Sequence, residues 1–173
     1  MRVFKILLVG ISIVAAANCD FFKGPRQSNK INEQAEVNNN VFKVRVTAYA
    51  EENPGFVGGA YYVFESAPSS SNDWRKITTV HSDDPVPIPR QQIRFVSGHV
   101  GYAFMIWMYA ITTDGGVTWN VWNAFDQLPQ WRDHPAINEV QINSDGTGRM
   151  TFRASSVPQL RTSDYGKHWS EQQ

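Results

Sequence analysis

Apolar and polar residues alternate along most of this chain. In the segment 41–50, Phe42, Val44, Val46 and Ala48 are separated by mainly polar residues, which predicts a strand with one buried face. Further runs rich in β-branched and aromatic residues are bounded by Gly, Pro, Asn and Asp, and they predict more strands. These runs are 60–65, 74–80, 93–96, 119–124, 137–143 and 149–154. The pattern therefore predicts an all-β, antiparallel meander.

The run from Gly101 to Ile111 differs from the others because it has no polar face. It is too short to span a membrane, and it is too aromatic and β-branched to favour a helix. It predicts one strand, or two strands with a break near Trp107, buried on both sides.

A short polar pattern follows this run and recurs near the C-terminus. Residues 112–119 and 162–169 both read Thr-x-Asp-x-Gly-x-x-Trp. The aspartate can accept nearby backbone N–H groups, the glycine can adopt positive φ, and the threonine can add a hydroxyl hydrogen bond. The tryptophan then lies in the next strand and can cover the turn. The pattern predicts two hairpin corners, and their structural residues are Thr112, Asp114, Gly116, Trp119, Thr162, Asp164, Gly166 and Trp169.

This pattern resembles the Asp-box of the bacterial neuraminidase repeat, which occurs in sialidases and other β-propeller proteins. The resemblance implies a structural role on the outer part of a blade, away from the ligand-binding mouth. Trp74, Trp119 and Trp169 are 45 and 50 residues apart, which suggests a four-stranded repeat. The first unit lacks the Asp-x-Gly corner and is either degenerate or coincidental.

Three units are one short of the smallest ordinary propeller, which has about four blades. The expected fold is thus a partial or small β-propeller-like domain. It is either closed by its own ends or completed by oligomerisation.

The N-terminus has the features of an exported protein. Residues 1–18 join two basic residues to a short apolar run and small residues, which indicates a signal peptide with a helical core. The only cysteine, Cys19, follows, and residues 16–19 resemble a bacterial lipobox. That resemblance implies cleavage before Cys19 and lipidation of its thiol, which would anchor the protein to an envelope membrane. Cleavage after Ala17 is the alternative and would give a secreted protein.

The remainder divides into two parts. Residues 19–40 are polar without apolar periodicity and predict a disordered tether. Residues 41–173 are predicted to form one Asp-box all-β domain.

Composition and motifs favour a protein without catalytic activity. Lys plus Arg and Asp plus Glu number 16 each, so there is no basic field for nucleic acid. The four histidines lack metal-ligand spacing, and we predict no metal site and no cofactor. A sialidase would need a much longer chain and an N-terminal arginine motif that is absent here. A glycoside hydrolase-like enzyme remains the alternative.

The candidate binding residues are aromatic or lie in the long connection 125–135: Trp107, Trp122, Trp131 and His134. We expect a binding protein that acts on a protein partner at the bacterial envelope, like the assembly factors and lipoprotein immunity proteins that carry the resembled motif. The alternative is a glycan-binding or sialidase-like glycan-processing module. A glycan site would gather these tryptophans with carboxylates in a concave pocket, whereas a surface for a protein would be broad and flat.

Overall fold

The computed structural model of the chain describes residues 30–50, 59–88, 90–131 and 136–171. Strands dominate these ranges, and the helices in them are short. The strands are β1 Lys30–Asn38, β2 Phe42–Ala50, β3 Ala60–Pro68, β4 Arg75–Ser82, β5 Ile93–Phe95, β6 Gly101–Met105, β7 Met108–Thr112, β8 Asn120–Asn123, β9 Ile137–Ile142, β10 Gly148–Phe152, β11 Leu160–Thr162 and β12 Ser170–Glu171. The helices are α1 Ala124–Gln127 and two 3₁₀ turns, Arg90–Gln92 and Pro129–Trp131. Within the described ranges, no helix has the length and apolar character needed to cross a membrane.

The strands form three sheets of four, each hydrogen-bonded in chain order. Sheet 1 contains β1 to β4, sheet 2 contains β5 to β8, and sheet 3 contains β9 to β12. All neighbouring strands are antiparallel. The prediction of an all-β antiparallel meander is therefore confirmed.

Sheet 2 lies between the other two sheets. Every residue of β6 and β7 is buried. Ala103 and Met105 belong to the core shared with sheet 1, whereas Tyr102 and Phe104 belong to the core shared with sheet 3. Because successive side chains of a strand point to opposite faces, a strand between two sheets must be apolar throughout. This placement explains why the run 101–111 has no polar face.

The second interpretation of that run, with two strands and a break, is correct. Ile106 and Trp107 form the turn between β6 and β7, and Met105 pairs with Met108. Ile106 has φ of 55°, which is rare for a β-branched residue. The main chain thus turns tightly without glycine or asparagine.

In each of the two end sheets, the apolar core side chains gather on one face. In β2, the side chains of Phe42, Val44 and Val46 are at most 1% exposed and pack towards sheet 2. The alternate residues lie on the opposite side, which we call the outer face of sheet 1. In sheet 3, Met150 and Leu160 pack towards sheet 2, and their neighbours lie on the outer face of sheet 3.

One boundary in the sequence interpretation is wrong. The predicted tether 19–40 includes Lys30–Asn38, which is strand β1 and pairs with β2. Ala35 is 1% exposed in the core, and Val37 packs against the same core. The sequence of Lys30–Asn38 is mainly polar, so its apolar pattern is too weak to predict a strand, and the strand is recognised only by its pairing with β2. The predicted signal peptide, Cys19 and the start of the tether lie outside the described residues.

Candidate functional site

The first corner connects β7 to β8 and is built around one carboxylate. The hydroxyl of Thr112 donates to Asp114 Oδ1 over 2.8 Å and accepts from the backbone N–H of Gly116 over 3.0 Å. Asp114 also accepts from the backbone N–H of Thr118 at Oδ1, 3.0 Å, and from the Thr118 hydroxyl at Oδ2, 2.5 Å. These hydrogen bonds close the turn on both sides of Gly116, which has φ of 85°.

The second corner, between β11 and β12, repeats this geometry. Thr162 donates to Asp164 over 2.8 Å and accepts from the N–H of Gly166 over 2.9 Å. Asp164 Oδ1 accepts from the N–H of His168 over 3.0 Å, and Asp164 Oδ2 lies 2.5 Å from His168 Nδ1. His168 therefore takes the place of the threonine that precedes the tryptophan of the first corner. Tyr165, with φ of 63°, occupies the position of a glycine in the first corner.

Both corner carboxylates are unusually acidic. Partial burial acts to raise the pKa of Asp114, but hydrogen bonds from the Thr118 hydroxyl and main chain, and from Thr112, lower it to about 2. At Asp164 burial likewise acts to raise the pKa. Hydrogen bonds from His168 and Thr162, together with the charge of His168, lower this pKa to about 2. Carboxylates held in this way serve as hydrogen-bond acceptors of the fold and are poorly suited to carry a proton in catalysis.

The tryptophan of each corner packs on the sheet that precedes its own. Trp119, in front of β8, packs edge-on against Phe42 of sheet 1 at 6.1 Å between ring centroids. Its Nε1 donates to Ser66 Oγ of sheet 1 over 3.0 Å. Trp169, in front of β12, packs edge-on against Tyr109 of sheet 2 at 5.5 Å. These two tryptophans join adjacent sheets.

Trp74 occupies the equivalent place in front of β4. No sheet precedes sheet 1 in the described part of the chain, so Trp74 lies on the outer face of sheet 1. The Arg45 guanidinium carbon is 4.1 Å from the centroid of a Trp74 ring, and Lys43 Nζ is 5.0 Å from it. Arg45 Nε also donates to Glu65 Oε2 over 2.6 Å. The Trp74 indole thus packs on two cationic side chains, whereas Trp119 and Trp169 pack on the preceding sheet.

The rest of this outer face is broad and aromatic. Tyr49 and Tyr61 are stacked with centroids 5.1 Å apart, and His81 lies 5.8 Å from Tyr61. Strands β1, β2 and β3 have nine residues each, which corresponds to about 30 Å at roughly 3.3 Å per residue. The surface is therefore an extended face of a sheet with aromatic and arginine side chains.

The structure describes the side chains of two of the four predicted binding residues, Trp107 and Trp122. Trp122 is 7% exposed and belongs to the core between sheets 2 and 3, and its role as a ligand contact stays a prediction. Trp107 is half-buried and packs against Phe125 at 4.9 Å between centroids. Trp131 ends a 3₁₀ turn, but its side chain and His134 lie outside the described residues.

The residue that the sequence interpretation missed is Trp74. Its spacing from Trp119 and Trp169 predicts a structural repeat, but only the packing order of the sheets places it on an outer face. Among the described residues, no three His, Cys, Asp or Glu side chains are grouped as metal ligands would be.

No protein-family model, curated protein or solved structure matches the chain. The fold and the two corners define it as an all-β protein with three four-stranded antiparallel sheets packed face to face.

Proposed function

We propose that this protein is an exported, lipid-anchored binding protein without catalytic activity, and that it holds a protein partner on the outer face of sheet 1. The observation that carries the proposal is the position of Trp74. The equivalent tryptophans of sheets 2 and 3 are covered by a neighbouring sheet, whereas Trp74 is left on a face with no neighbour in the described structure. Within the described ranges this surface resembles a sheet-to-sheet contact without a second sheet on it, which suits it to association.

The side chains of this face are of the kind that stabilise protein interfaces. Trp, Tyr and Arg dominate the binding energy of interfaces, because they bury large areas and also form polar contacts. Trp74, Arg45 and Tyr49 provide these three types on one flat surface, and the Arg45–Glu65 pair orients the guanidinium beside the indole. A broad face of this kind favours a protein over a small glycan, which binds in a concave pocket.

The export and anchoring part of the proposal rests on residues 1–19. The apolar leader and Cys19 support a lipid anchor that would keep the domain near an envelope membrane. Labelled palmitate should enter the protein and should not enter a Cys19→Ala variant. Equal labelling of both proteins, or labelling of neither, would contradict the anchor.

Site-specific photo-crosslinking in the native envelope tests the binding face. A benzophenone amino acid at Val63, on the outer face of sheet 1, should give a discrete adduct with a protein partner. The matched control is the same probe at Val117, which is 67% exposed beside the first corner. Trp74→Ala and, separately, Tyr49→Ala should reduce the Val63 adduct while the thermal unfolding transition remains cooperative.

Two results would contradict this assignment. One is equal crosslinking from both probe positions. The other is saturable binding on a glycan array that Trp131→Ala abolishes, which would support the glycan-binding alternative.

A further inference from the structure

The outer face of sheet 3 carries two arginines on neighbouring strands with little opposing charge. Arg149 of β10 and Arg161 of β11 are directly paired in the strand register. Their neighbours Met150 and Leu160 are 0% and 1% exposed in the core, so both arginine side chains must lie on the outer face. Like charges directly opposite each other on a sheet destabilise the strand pairing. This arrangement therefore favours an added negative charge.

The protein itself supplies only part of that charge. Glu139 Oε2 lies 3.7 Å from Arg149 Nη2, and both side chains are about half exposed, at 43% and 50%. An exposed pair at this distance contributes little. Arg161 forms no ion pair or side-chain hydrogen bond within the part of the chain that the structure describes. One guanidinium of the pair thus remains without a counterion.

The two arginines line a groove with polar walls. Its volume is about 560 Å³, and Gln141, Asn143 and Thr147 are among the other residues that line it. The described lining contains no Asp or Glu. Gln141 is the register partner of Arg149 on the side away from Arg161, so amide and guanidinium groups lie in one row across three strands.

We propose that this groove binds an extended, acidic peptide segment of a protein. A carboxylate between Arg149 and Arg161 would accept charge-assisted hydrogen bonds from both guanidinium groups and would remove their mutual repulsion. The amide of Gln141 can both donate and accept, which matches the main chain of an extended peptide. The site lies on sheet 3 and does not depend on the binding face of sheet 1.

Fluorescence anisotropy with the full chain and a labelled hexaglutamate peptide tests this proposal. Binding should saturate, should weaken as salt is added, and should be absent for hexaglutamine. Arg161→Gln should weaken binding by a factor of about 10 or more, as expected for loss of a charge-assisted hydrogen bond. Arg149→Lys keeps the charge but loses the planar fork, and it should also weaken binding.

Arg153→Gln is the matched control, because Arg153 follows β10, is exposed, and does not line the groove. It removes the same charge and should change the affinity less than about twofold, as expected for an exposed charge that makes no direct contact. Equal weakening by Arg153→Gln and Arg161→Gln would show a diffuse charge effect and overturn the site. Tighter binding of heparin fragments or polyphosphate than of hexaglutamate would overturn the assignment to an acidic peptide.

Discussion

The two corner tryptophans, Trp119 and Trp169, differ in whether the indole N–H has a hydrogen-bond acceptor. Trp119 Nε1 donates to Ser66, which lies eight positions before Trp74. The residue eight positions before Trp119 is Ile111, and it offers no acceptor to Trp169. Trp169 Nε1 is accordingly buried without a partner in the described structure. Two positions that look alike in sequence therefore differ in their contribution to stability.

Replacing each tryptophan with phenylalanine should reveal this difference. Trp119→Phe loses a hydrogen bond and leaves Ser66 Oγ without that donor, which should cost about 1 kcal/mol beyond the lost packing. Trp169→Phe removes an N–H that has no partner, so the free energy of unfolding should fall less in this variant than in Trp119→Phe. Urea unfolding of the two variants measures both changes. An equal loss in both variants would contradict the role given to Ser66.

The glycine of the first corner is constrained by its backbone and by its neighbour. Gly116 has φ of 85°, and a Cβ at this position would lie 2.9 Å from Phe42 Cδ2. Gly116→Val should therefore lower the free energy of unfolding by more than about 1 kcal/mol. Gly98→Ala is the control, because its Cβ would meet Val41 at an ordinary 3.5 Å. An unchanged melting temperature for Gly116→Val would be inconsistent with this turn.

At the scale of elements, each corner is the turn that joins two paired strands, β7 to β8 and β11 to β12. The carboxylate and threonine of each corner satisfy main-chain N–H groups that would otherwise lack partners. The tryptophan then attaches the corner to the neighbouring sheet. Each corner thus stabilises a hairpin and a contact between sheets together.

The acidic corner carboxylates predict how stability depends on pH. Asp114 and Asp164 have folded-state pKa values of about 2, below the unfolded value of about 3.9. The stabilisation is therefore fully present above about pH 4 and is lost as the pH falls towards 2. The free energy of unfolding should decrease across this interval.

The matching experiment is urea unfolding of the wild type and of the double variant Asp114→Asn, Asp164→Asn between pH 2 and 5. The variant should be less stable at pH 5 and should show a shallower pH dependence. If both proteins lose stability in parallel, other carboxylates account for the acid sensitivity.

At the scale of the whole molecule, the two outer faces differ in kind from the two internal contacts. The internal contacts are apolar, whereas the outer faces carry Lys43 and Arg45 on sheet 1 and Arg149 and Arg161 on sheet 3. Stacking sheet 3 of one copy on sheet 1 of another would bring these cations together. Of the two arrangements open from the sequence, this charge repulsion disfavours a ring completed by further copies.

We therefore expect a monomer in solution. Sedimentation equilibrium of the Cys19→Ala chain should give a mass near 19.6 kDa, or less if the leader is removed. Raising the salt concentration should not produce dimers, because the described outer face of sheet 3 presents guanidinium and amide groups rather than apolar side chains to the aromatic face of sheet 1. A stable dimer that Arg161→Glu changes would show that the outer faces associate.

Local chemistry was enough to predict much of this fold. Alternating residues predicted β2, because period-two burial follows directly from strand geometry. The pattern Thr-x-Asp-x-Gly-x-x-Trp predicted both corners, since the bonds that hold them lie within eight residues. The apolar run 101–111 predicted strands buried on both sides.

Only the tertiary structure could decide which faces are left uncovered. Trp74, Trp119 and Trp169 share a spacing in sequence, but the first has no preceding sheet in the described structure, and that depends on the order in which the sheets pack. The sequence likewise could not show that Trp122 lies in the core between sheets 2 and 3, because an isolated aromatic in a short strand has no pattern that reveals its face. The pairing of Arg149 with Arg161 likewise requires the register of β10 with β11. Sequence alone thus determined the all-β class, most of the longer strands and both corners, whereas strand β1 and the surfaces available for binding were decided by long-range packing.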